Sequence, residues 1–127
     1  MEQKNTYKKL MLDLDGYALS YDEIDLLINS FVGGVILFSR NIKSKSQVQA
    51  LCKQIKSINS ELLIAVDQEG GKVQRLETGY TALPSMHQLA DECSKNNFAN
   101  IDLAKDTGWL MASEVIASGL DISFAPV

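Results

Sequence analysis

Leu62-Leu63-Ile64-Ala65-Val66-Asp67-Gln68-Glu69-Gly70-Gly71-Lys72-Val73-Gln74-Arg75 changes character abruptly at its sixth residue. The first five residues are a continuous apolar run, the pattern of a strand buried on both faces of a parallel sheet. The remaining nine bring two carboxylates, two glycines and two cations. Binding and reacting groups collect where a rigid strand hands over to a polar loop. Asp67 and Glu69 are two apart, so they point the same way if the strand continues, with Cα atoms roughly 6–7 Å apart. Gly70 and Gly71 open a backbone path closed to other residues, or let a ligand approach closely. Arg75 brings a planar five-donor fork to the same place.

The flanking sequence alternates between strand and helix patterns. Residues 9–14 read as strand one. Ser20 and Glu23 have the spacing of a capping box, followed by a short amphipathic face of Ile24, Leu27 and Ile28. Gly33-Gly34 reads as a tight turn before strand two at 35–38. It precedes its strand, whereas a phosphate-binding loop follows one. Ser44 and Gln47 offer a second capping box, after which Val48, Leu51, Cys52, Ile55 and Ile58 recur at helical spacing. Residues 62–66 are strand three. A helix is expected over 101–118, with Leu103, Ala104, Leu110, Met111 and Val115 on one side, Trp109 in packing and Gly119 at C′. Strand four is expected over 121–125, stopped by Pro126. Residues 78–100 read as an irregular surface excursion, made polar by Asp91, Glu92, Ser94, Lys95, Asn96 and Asn97, with a helical turn near 86–92. Alternating strand and helix implies a parallel sheet with right-handed crossovers. Periodicity alone leaves a doubly wound sheet and a barrel both open.

Composition narrows the function classes. The 127 residues, 46% hydrophobic, are one domain's worth and bury a core of moderate size. A net charge of −4 argues against non-specific nucleic-acid binding, and Lys43, Lys45 and Lys53 read as a solvated helix face. Two cysteines, Cys52 and Cys93, make neither a disulfide framework nor a zinc motif. Lys4, Lys8 and Lys9 precede an apolar stretch broken by Asp13 and Asp15, so no signal-peptide core forms. No run approaches the ~18 apolar residues that span a membrane. The expectation is a soluble, reduced, cytoplasmic protein.

Asp67-Gln68-Glu69-Gly70-Gly71-Lys72-Val73-Gln74-Arg75 resembles the amino-terminal signature of family 3 glycoside hydrolases, in particular their bacterial β-N-acetylhexosaminidases. Other stretches match in the same order: Leu12-Asp13-Leu14-Asp15-Gly16-Tyr17, Gly33-Gly34-Val35-Ile36-Leu37-Phe38-Ser39-Arg40-Asn41, Leu83-Pro84, Gly108-Trp109-Leu110-Met111-Ala112-Ser113-Glu114 and Asp121-Ile122-Ser123-Phe124-Ala125-Pro126-Val127. The resemblance implies a (β/α)8 TIM barrel, of which residues 1–127 are the amino-terminal half with the first four strands. It implies a retaining hydrolase that removes terminal β-linked N-acetylglucosamine from anhydro-muropeptides in cell-wall (peptidoglycan) recycling, with no metal or organic cofactor. Family members are well over twice this length.

By the same resemblance, Asp67 accepts hydrogen bonds from hydroxyls of the terminal sugar, and Arg75 is its partner in sugar contact. Asp67 and Glu69 are not the acid and nucleophile of the reaction. Those two groups must flank the scissile bond, and neighbours on one strand end approach it from the same side. In the family the nucleophile is a later aspartate and the proton donor a histidine on a later loop, so both are expected beyond Val127. His87, the only histidine, precedes Gln88-Leu89-Ala90, does not match that loop and reads as a surface or packing residue. Glu69, Gly70 and Gly71 are expected to support the loop. Arg40 and Asn41 either contact ligand or brace a loop. A competing resemblance is Asp13-Leu14-Asp15-Gly16 to the first motif of magnesium-dependent haloacid dehalogenase-type phosphatases. Tyr17 departs from that motif and no acidic pair follows a later strand, so Asp13 is read as a structural carboxylate. A half barrel also exposes unpaired strand edges. Two expectations follow: self-association of two halves, or continuation of the chain in a longer protein. A non-catalytic fragment is the remaining alternative.

Overall fold

The computed structural model describes residues 8–95 and 100–125. Lys4, Asn96, Asn97, Pro126 and Val127, used in the sequence reading, lie outside them. The order is β1 (Leu10–Leu12), α1 (Tyr21–Leu27), β2 (Val32–Leu37), a 3-10 turn (Ser39–Asn41), α2 (Lys45–Ile58), β3 (Leu63–Val66), β4 (Gln68–Gly70), β5 (Val73–Gln74), α3 (Met86–Lys95), α4 (Ile101–Ala117) and β6 (Ile122–Ser123). Strands β1, β2, β3 and β6 form one parallel sheet in that order. Each crossover advances one strand in the same direction. Right-handed connections of that kind put the connecting helices on one face.

The caps follow the side-chain chemistry. Ser20 Oγ accepts from Glu23 N–H while the Glu23 carboxylate accepts from Ser20 N–H, the reciprocal pair that starts α1. At α2 only half of this forms. Ser44 Oγ accepts from Gln47 N–H, but the Gln47 carbonyl accepts from Lys43 N–H instead. The α2 stripe Val48, Leu51, Cys52 and Ile55 is buried and packs with Leu27, Val35, Leu37, Ile64 and Val66.

The opposite sheet face is apolar and open. Register puts Met11, Gly34 and Leu63 in one row and Ile36, Ala65 and Ile122 in the next. Met11, Leu63 and Ile122 are 39%, 50% and 40% exposed.

Several expectations change. Gly33 and Gly34 are not a turn before β2 but lie inside it. The reason is close approach: a Cβ on Gly34 would stand 2.7 Å from Leu63 O and 2.8 Å from Met11 Cε. Residues 78–100 hold a ten-residue helix, α3, seated by buried Leu89 and Cys93, where an irregular excursion with one helical turn was expected. Ile28 lies past the last residue of α1 and is exposed. On α4, Leu103 is exposed and Trp109 is 70% exposed rather than packed. That helix is apolar on most sides, so its pattern did not say which side faces inward. Strand β6 is shorter than expected, although Asp121 N–H to Ile64 O (2.8 Å) and Phe124 N–H to Val66 O (3.0 Å) continue its pairing.

Candidate functional site

The carboxyl ends of the parallel strands converge on one side of the molecule. Asp13 follows β1, Arg40 follows β2 and Asp67 follows β3. The polar loop expected after Asp67 is a hairpin, with β4 and β5 antiparallel across Gly71-Lys72. Gly70 has φ +93° and Gly71 has φ +60°, conformations that L side chains rarely adopt. The hairpin also lies tight against the next segment. A Cβ on Gly71 would stand 2.6 Å from Ser85 Cβ, and one on Gly70 would run into Pro84 O. Gly71 N–H donates to Leu83 O at 2.9 Å.

The hairpin returns Arg75 to Asp67. Arg75 Nη2 lies 3.6 Å from Asp67 Oδ2, and both side chains are partly open to solvent. This contact is longer than a good charge-assisted hydrogen bond. It leaves carboxylate lone pairs and guanidinium donors available to a polyhydroxylated ligand. Arg75 Nε is buried and finds no hydrogen-bond partner among the described residues. Arg75 also lines a small cavity of 110 Å³ with Ser39, Ile42, Lys43, Glu77 and Thr78. Glu69 is half-buried on β4, beside a larger groove of 690 Å³ lined also by Lys72, Ser85 and His87.

Two glutamines, Gln68 and Gln74, hold this arrangement. The Gln68 side chain is 1% exposed. Its carbonyl accepts from Arg75 N–H (3.0 Å) and Leu76 N–H (2.9 Å), and its amide donates to Leu76 O (3.3 Å). Ser123 Oγ on β6 accepts from Gln68 N–H at 3.1 Å and donates to Gln68 O at 2.9 Å. Gln74 donates to Leu76 O and Thr81 O, both at 2.9 Å, and accepts from Leu83 N–H at 3.0 Å. Nothing in residue type marks a glutamine for burial. The only signal was the placement of both glutamines beside the charged residues of the opening stretch.

Beside this site, Arg40 Nε donates to Leu14 O at 2.8 Å, its Nη2 pairs with Asp13, and the guanidinium lies 5.0 Å from the Phe38 ring centre. Asn41 is fully buried. It donates to Leu14 O (2.9 Å) and Gly16 O (3.0 Å) and accepts from Phe38 N–H (2.9 Å). Arg40 and Asn41 therefore brace the two strand-end loops against each other. Asp13 is engaged by Arg40. Among the described residues no three His, Cys, Asp or Glu side chains cluster as a metal site would require. His87 is exposed on α3, with Nε2 3.6 Å from Asp91 Oδ2. Among the described residues no helix is long and apolar enough to cross a membrane.

Residues 7–127 match the family described as the glycosyl hydrolase family 3 N-terminal domain. The beta-hexosaminidase of Pseudomonas aeruginosa is 49% identical over 118 residues, covering 93% of this chain and 34% of that protein. That of Haemophilus influenzae is 44% identical over 119 residues, covering 93% and 33%. Among solved structures, NagZ from Neisseria gonorrhoeae in complex with N-trifluoroacetyl-D-glucosamine superposes with a TM-score of 0.89. The identity is 37%, over 95% of this chain and 37% of that one. A family 3 beta-N-acetylglucosaminidase from Paenibacillus gives a TM-score of 0.85 at 33% identity, covering 99% and 24%. The chain spans about a third of the length of these bacterial beta-hexosaminidases. It belongs to the glycosyl hydrolase family 3 N-terminal domain family.

Proposed function

We propose that this chain is the sugar-recognising half of a β-N-acetylhexosaminidase. Asp67 accepts hydrogen bonds from hydroxyls of a terminal β-linked N-acetylglucosamine, and Arg75 donates to the same sugar. The observation that carries this reading is their approach to 3.6 Å at the carboxyl end of β3, the end where barrel enzymes keep their sites. Glu69, Gly70 and Gly71 shape the supporting hairpin. Residues 1–127 form one structural unit, the first four strands of a (β/α)8 barrel. The sequential order of the four parallel strands and the open apolar face support this.

The nucleophile and the proton donor come from sequence beyond Val127. With them, hydrolysis runs with retention through a covalent glycosyl intermediate. The substrate is an N-acetylglucosaminyl anhydro-muropeptide of cytoplasmic peptidoglycan recycling. No nucleic acid, membrane or cofactor takes part. Holding the sugar in reactive geometry supplies a large share of the barrier reduction, so recognition by this half matters to rate as well as affinity. On its own, the chain covers its apolar sheet face by pairing with a second copy.

Turnover of a chromogenic N-acetyl-β-glucosaminide tests the reading. The purified 127-residue chain is expected to be inactive. A fusion of it to the remaining two-thirds of the Pseudomonas aeruginosa relative is expected to be active and to lose activity on Asp67→Ala. An inactive but folded fusion, or an Asp67→Ala fusion with full activity, contradicts it.

A further inference from the structure

We infer that Gln68 is a positioning residue that sets the Asp67–Arg75 geometry without touching the sugar. The inference rests on the proposed sugar site and adds the group that tunes it.

Arg75 is poorly anchored through its own side chain. It has one 3.6 Å contact to Asp67 and a buried Nε with no partner among the described residues. A buried donor left open is rare and calls for a reason. The guanidinium therefore stands where its backbone puts it, and Gln68 holds that backbone. One carbonyl oxygen takes the N–H groups of Arg75 and Leu76, and the amide of the same side chain returns to Leu76 O. Leu76, fully buried, also receives the Gln74 amide at the same carbonyl oxygen.

Gln68 is at the same time the chain neighbour of Asp67, with its own N–H and C=O both held by the Ser123 hydroxyl. The carboxylate is thus fixed through one peptide link and the guanidinium through two hydrogen bonds, both from one residue. The buried side chain accepts two N–H groups, the bonds that hold Arg75, and donates one longer bond (3.3 Å) to Leu76 O. Among residues of this length only an amide does so uncharged. Methionine has a similar length and no such bonds. Glutamate keeps the two acceptor bonds and loses the donor.

The test compares the chain with its Gln68→Met and Gln68→Glu variants by NMR, reading the Arg75 Nε–Hε resonance and titrating free N-acetylglucosamine. In the parent chain the Arg75 resonance is expected to be resolved and shifted from the unfolded position. In folded Gln68→Met it is expected to collapse to that position, while amides of β1, β2 and β3 keep their shifts, and sugar affinity falls at least tenfold. Gln68→Glu is expected to retain the resonance and affinity within about threefold. An unchanged Arg75 resonance in folded Gln68→Met overturns the inference. So does a Gln68→Glu variant as impaired as Gln68→Met. Should Gln68→Met fail to fold, Gln68→Glu decides alone: a retained Arg75 resonance supports the inference and a collapsed one overturns it. If the parent chain binds no sugar, the proposed site fails, while the Arg75 resonance still judges the role of Gln68.

Discussion

Replacing Asn41 should unfasten the strand-end loops from each other. Its side chain is fully buried and makes three bonds, two donated to Leu14 O and Gly16 O and one accepted from Phe38 N–H. Asn41→Ala removes all three. Leu14 O keeps the bond from Arg40 Nε, so its loss is partial. Phe38 N–H and Gly16 O lose this partner outright. A buried group left unsatisfied costs about 1–3 kcal/mol, and a partly buried carbonyl that water reaches costs less. The sum is about 2–4 kcal/mol, a large fraction of the ~5–15 kcal/mol that holds a domain together. Asn41→Asp has the same shape and keeps the acceptor for Phe38 N–H, but aims a carboxylate at two carbonyl oxygens. At neutral pH it should therefore cost more than alanine. Below the carboxylate pKa the acid gains one O–H donor, and the order should narrow or reverse. Urea unfolding followed by far-UV circular dichroism, with an unchanged m-value, measures these differences. Asn41→Asp as stable as the parent chain at pH 7 would refute the assignment of the amide as the donor to Leu14 and Gly16.

Three further outcomes are expected. Burial pushes the Glu23 carboxyl up, but the N–H groups of Ser20 and Asp15 and the Ser20 hydroxyl outweigh this and hold it below the usual carboxylate value. Its stabilisation is therefore present above the unfolded-state pKa near 4.5 and lost as pH falls through the lower folded value, so Glu23→Gln should destabilise at pH 7 and much less at pH 3 in urea titrations. Burial, with Asp121 adding to it, pushes the Cys52 thiol up to about 12, so it should resist thiol reagents at pH 8 in the native chain and react on unfolding. Gly70→Ala sets a β-carbon against Pro84 O at φ +93°, so it should disrupt the hairpin and cost several kcal/mol in unfolding, whereas Gly16→Ala, with open space around it, should not.

Local chemistry made much of the fold readable. Apolar runs marked the parallel strands, Ser20 with Glu23 and Ser44 marked two helix starts, and the switch at Asp67 marked the end of a strand where charged groups gather. What escaped depends on distant partners. Gly33-Gly34 reads as a turn until Met11 and Leu63 are known to crowd it from neighbouring strands. Helix α3 is hidden in the sequence because its six charged or polar residues mask two buried ones, Leu89 and Cys93, set four apart. The burial of Gln68 and Asn41 is decided by backbone groups of Arg75, Leu76, Leu14 and Gly16 that only the folded hairpin and strand ends bring near. Residue type alone argued for exposure of both amides.

The most direct test of the central claim is titration of the 15N-labelled chain with N-acetylglucosamine, in parent and Asp67→Ala forms. The account predicts saturable shifts confined to the strand-end loops and residues 67–76, abolished by Asp67→Ala while the remaining spectrum is kept. Shifts unaltered by Asp67→Ala, or none in the folded parent chain, would contradict Asp67 and Arg75 as the sugar-holding pair.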